Sequence, residues 1–87
     1  AHLAFFPDDQ AAIISLARCV GRQGDDDTAR AILQINVQRF PDWLDAQIEL
    51  GIALYRLQEP QKARDKWRAV LKQDPKNADA QRLLRQY

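Results

Sequence analysis

The chain has 87 residues and a formal net charge of +1, from thirteen Lys and Arg against twelve Asp and Glu. A balance so near zero is not the basic footprint of a nucleic-acid binder, and no apolar run approaches the roughly 18 residues of a membrane-spanning helix. One cysteine and one histidine exclude an internal disulfide, a Cys-pair metal site and a His-based catalytic pair.

In chain order, Leu3, Phe5 and Phe6 precede Pro7 and read as the tail of an earlier element. A first helix is expected near 9–22 and ends at Gly24, since Gly suits a helix end. Three aspartates, 25–27, follow. They lack the alternating ligands and distal Glu of a calcium loop, and Asp favours the N-cap and positive end of a helix. A second helix is therefore expected near 26–39, stopped by Pro41. The third, near 43–57, carries Ala46, Leu50, Ala53, Leu54 and Leu57 at the three-and-four spacing of one helix face. Pro60 fits the first turn of a fourth helix near 60–73, with Ala63, Trp67, Val70 and Leu71 as its apolar face. Pro75 ends it, and a fifth helix is expected near 77–86. No stretch alternates as a strand does.

These helices repeat. Pro7, Pro41 and Pro75 are spaced by 34 residues, as are Leu16, Leu50 and Leu84, and Ala12, Ala46 and Ala80. A fixed period of this size is the signature of a helical array. The expected fold is all-α, a right-handed solenoid of antiparallel helical hairpins with about five helices. Its expected divisions are 1–9 as the remnant of a preceding unit, 10–43 as one repeat, 44–77 as a second, and 78–87 as the first helix of an incomplete or capping repeat. Met is absent, so the chain reads as a piece of a longer protein or a processed product.

Residues 44–77 carry Leu50-Gly51, Leu54, Ala63, Trp67 and Pro75, and residues 10–43 carry Leu16-Ala17, Val20, Ala29, Leu33 and Pro41. This pattern resembles the tetratricopeptide repeat family, as a divergent member of bacterial style. Ile13 and Gln47 stand where the family often has Trp, and Asn36 stands at a small apolar position. Gly51, Ala53, Ala63, Ala17, Cys19 and Ala29 would let helices cross closely, which makes Cys19 an expected buried residue. Trp67 is expected in a hairpin core and Trp43 half-buried at the joint between units.

The resemblance implies a concave groove lined by the first helix of each unit. By that reading Ile14, Ile48 and Ile52 form an apolar floor not needed by the hairpin cores, and Arg18, Arg22, Arg56 and Arg82 form a basic rim with Tyr55 among them. Arg offers bidentate recognition of carboxylates. The implied partner is a peptide or protein helix with acidic and apolar residues, bound by a non-catalytic interaction module. A Lys and Asn clamp for a chaperone's terminal carboxylate is missing, since the matching positions hold Ile14, Arg18, Glu49, Asp79 and Leu83. A competing reading is self-association, in which Leu3, Phe5 and Phe6 help copies of the parent protein stack as a homo-oligomer. An enzyme lacks its ingredients: no Ser, His and acid set and no Gly-rich phosphate loop is present, and Ser15 is the only serine. No catalytic, metal or cofactor residues are assigned. Nucleic acid and membrane insertion are not expected, and a cytoplasmic location is favoured over a periplasmic one.

Overall fold

In a computed structural model, residues 10–87 are described, with side chains from residue 12 onward. The expected remnant at 1–9 lies outside the described residues. Five helices follow in order: α1 (Gln10–Arg22), α2 (Asp26–Arg39), α3 (Leu44–Arg56), α4 (Pro60–Gln73) and α5 (Ala78–Gln86). Among the described residues there is no strand. Each boundary falls within a residue or two of its expected place, because Pro and Gly act locally on the backbone.

The breaks recur in register. Gly24 adopts φ +91° after α1 and Gln58 adopts φ 66° after α3, 34 residues later. The turn needs a left-handed residue at that point, which glycine takes without strain and Gln does not. Asp25 caps α2, its carboxylate accepting from the Thr28 backbone N–H at 3.2 Å and the Thr28 hydroxyl at 2.6 Å. The expected capping role of the aspartates is what the structure contains at Asp25. At the other breaks Gln47 donates to the Pro41 carbonyl and Gln81 to the Pro75 carbonyl, both at 2.8 Å. Gln at the position where the family often has Trp thus ties the start of a helix to the turn before it.

Short connections fold α1 on α2 and α3 on α4 as hairpins, α2 packs on α3 and α4 on α5, and α1 also meets α3 directly. The core runs along the stack. Leu33, Leu50, Trp67 and Val70 are its largest fully enclosed side chains. Gly51 is required here: a Cβ at that position would lie 2.4 Å from Trp67 Nε1. The indole crosses α3 at that bare position, and its N–H donates to the Ile48 carbonyl at 3.3 Å. Ala46, Ala63 and Ala80 have no exposed surface, as small residues at helix crossings should. Asn36 is buried too, with its amide donating to the Ile32 carbonyl at 2.7 Å and its side-chain oxygen lacking a protein partner.

Two expectations about burial are corrected. Cys19 is exposed: it lies two positions from Ala17, about 200° around the helix, so it cannot share the face that packs on α2. Trp43 is buried, not half-buried, at 8% exposure. Its ring meets Phe40 edge-on, with centroids 5.9 Å apart, across the turn between α2 and α3.

Candidate functional site

The first helices of the hairpins, α1 and α3, lie side by side, and their outward stripes define the site. On α3 the stripe reads Asp45, Ile48, Ile52 and Arg56 at steps of three, four and four. On α1 the same register holds Ile14, Arg18 and Arg22. Two hollows share this face. One is lined by Ile14, Ser15, Arg18, Trp43, Asp45, Ile48, Glu49 and Asp79. The other is lined by Arg18, Arg22, Asp26, Glu49, Ile52 and Arg56, with Ala17, Gly21 and Ala53 beneath. A third, beside Ile52, holds Tyr55, Arg56, Trp67, Leu83 and Tyr87. Seven of the eight anticipated groove residues line one of these hollows. Arg82 lines none of them and instead ion-pairs with Asp79 at 3.4 Å.

The floor differs from the expectation. Ile14 and Ile48 are 9% and 5% exposed and belong to the hydrophobic core. They are not spared by the hairpins, because α1 and α3 approach each other and close over them. Ile52 is half-buried against the core and Tyr55 is exposed. Those two supply the accessible apolar surface. Tyr55 stacks at 4.4 Å on Tyr87, whose ring also lies 6.0 Å from Trp67, and Arg64 donates to the Tyr87 carbonyl.

The rim is not uniformly basic. Arg18 Nε and Nη2 both donate to Glu49 Oε2, at 3.1 and 2.8 Å, tying α1 to α3 across the groove. That hydrogen bond is the first cause raising the Arg18 pKa, followed by the Glu49 charge, with Asp45 and Asp79 adding to it. Arg56 reaches Asp26 at 3.7 Å. Its guanidinium passes over Gly21, where a Cβ would meet Arg56 Nη1 at 3.2 Å. Arg22 has no ion-pair partner among the described residues, and neither does Asp45. The result is a charge-segregated groove. Asp45 and Asp79 stand in the first turns of α3 and α5, while Arg22 and Arg56 stand in the last turns of α1 and α3.

Glu49 is the site residue that sequence reasoning passed over as a partner for Arg18. The two are 31 positions apart, and neither periodicity nor spacing pairs side chains across helices. Among the described residues, no three His, Cys, Asp or Glu side chains are grouped to hold a metal ion. No described helix is long and apolar enough to cross a membrane.

Residues 44–77, which contain α3 and α4, match the family model for the tetratricopeptide repeat. No curated protein matches the chain. Repeats of this family are generally non-catalytic modules for protein–protein interaction. With one matched repeat, the same 34-residue register in flanking helices and an all-α stack of hairpins, the chain belongs to the tetratricopeptide repeat family.

Proposed function

We propose that this chain is a non-catalytic scaffold segment that binds a peptide or partner helix in the groove of α1, α3 and α5. On this reading 10–43 and 44–77 are two repeats and 78–87 opens a third. The observation that carries it is the combination of accessible Ile52 and Tyr55 with the unpartnered charges Asp45 and Arg22 on one face. Apolar surface flanked by oriented charge is what a specific peptide site needs. Contacting residues would be drawn from Ile14, Arg18, Arg22, Ile48, Ile52, Tyr55 and Arg56, with Arg82 at the margin.

The test is Ile52→Glu, monitored by circular dichroism and by calorimetric titration with the peptide probes described below. Ile52 is half-buried, so helix content should persist while binding weakens by about tenfold or more. Unchanged affinity would remove the groove from consideration. Ile48→Glu is not an equivalent probe: its side chain is buried, and an unpaired carboxylate there costs several kcal/mol, so helix content should fall.

A second reading is favoured by a different observation. Leu16 is 53% exposed, whereas Leu50, 34 residues later, is 1% exposed beneath α2. Ile35 on α2 is exposed as well. This apolar end could stack against another copy, making the segment an assembly element.

A further inference from the structure

Resting on the groove reading above, we propose that the occupant is an amphipathic helix with an acidic first turn and a basic last turn. It lies along α1 and α3 and runs antiparallel to them. The acidic turn meets Arg22 and Arg56, and the basic turn meets Asp45 and Asp79.

The argument starts from spacing. Asp45 and Arg56 are eleven positions apart on one stripe of α3, roughly 16 Å along the helix axis. A guest helix has the same rise per residue. A row at i, i+4, i+7 and i+11 on the guest therefore places its end charges over the two charged edges and its two middle residues over Ile48 and Ile52. An extended segment covers the same distance in about five residues, with alternate side chains facing away, so it presents a shorter apolar row to the floor.

The charges are also prepared. Arg56 is held over Gly21 by Asp26. Arg18 is occupied by Glu49 and contributes little free charge to the middle of the groove. Asp45 and Arg22, at opposite ends, lack ion-pair partners among the described residues. A guest of uniform charge would be attracted at one edge and repelled at the other, so the groove selects opposite charges at the guest's two ends. Direction follows from the guest's own dipole. A helix is stabilised by acids at its N-terminus and bases at its C-terminus, and a guest of that kind matches these edges only when antiparallel to α1 and α3.

The test uses three synthetic helical peptides of about 15 residues, long enough to hold helix in isolation, each with the same leucine stripe. One carries Glu in its first turn and Lys in its last, one carries Glu at both ends, and one carries Lys at both ends. The mixed peptide should bind roughly threefold to tenfold tighter than either like-charged peptide at low salt, since rim ion pairs are individually weak. The advantage should shrink as salt is raised. A nitroxide on its acidic end should broaden the amide signals of Arg22 and Arg56, not those of Asp45 and Asp79.

Three outcomes overturn the inference. Equal binding of all three peptides, lost in Ile52→Glu, keeps the groove and removes the charge selection. Broadening at Asp45 reverses the direction. A chain that dimerises through Ile52 with no peptide present replaces the foreign helix by a second copy. Failure of every peptide to bind removes the groove reading together with this one.

Discussion

Single residues set how closely the helices approach. Gly51 is the clearest case, since Trp67 occupies the space a Cβ would take, with Nε1 at 2.4 Å and Cε2 at 2.9 Å. Trp67 is fully enclosed and tied to the Ile48 carbonyl, so it cannot swing aside. Gly51→Ala gains about 1 kcal/mol of helix propensity but overpacks the core by about 1–3 kcal/mol. The expected net effect is destabilisation by about 1–2 kcal/mol in chemical denaturation, and a variant more stable than the parent would show that the indole relaxes freely. Gln47 and Gln81 give a second residue-scale result: the change from the family's usual Trp exchanges ring packing for a hydrogen bond to the preceding proline carbonyl. The sequence identified the departure at Gln47, but the bond depends on the path of the turn.

Elements are held mainly by their ends and their buried stripes. The cap on α2 makes a pH-dependent contribution of known sign. The Asp25 pKa lies below its ordinary value of 3.8, first through the Thr28 hydroxyl and then through the Thr28 backbone N–H. A carboxylate with a depressed folded-state pKa contributes stability above its unfolded value and loses it as pH falls through the folded one. Asp25→Ala should therefore lower Tm at neutral pH, and the gap between variant and parent should close as pH drops below 3.8. A gap that stays constant into strong acid would mean that the carboxylate charge is not what the cap supplies. Glu59, before α4, follows the same sign through its hydrogen bond from Lys62. The positions of all five helices were legible from Gly24, Pro41, Pro60 and Pro75, since those residues act on their own turn of chain. The burial of Cys19 was misjudged because the period was transferred to a residue off the packing face.

Across the whole molecule, the stack leaves one surface concave and one end apolar. Leu16 occupies the register of buried Leu50 yet is largely exposed, so its burial depends on what packs against α1 from outside the described residues. If copies stack there, light scattering should show a concentration-dependent increase in mass, and Leu16→Glu should suppress it without loss of helix content. A mass independent of concentration in the parent would remove the assembly reading. The sequence by itself determined the helices, their 34-residue register and the family, because helix periodicity and turn chemistry are local and repetition makes them visible several times over. It also placed Ile52, Tyr55, Arg22 and Arg56 among the groove residues. Only the tertiary structure decided that Ile14 and Ile48 serve the core, that Glu49 takes Arg18, and that the groove has an acidic edge and a basic edge. Those outcomes depend on the distance and rotation between neighbouring helices, which set which side chains meet across the gap.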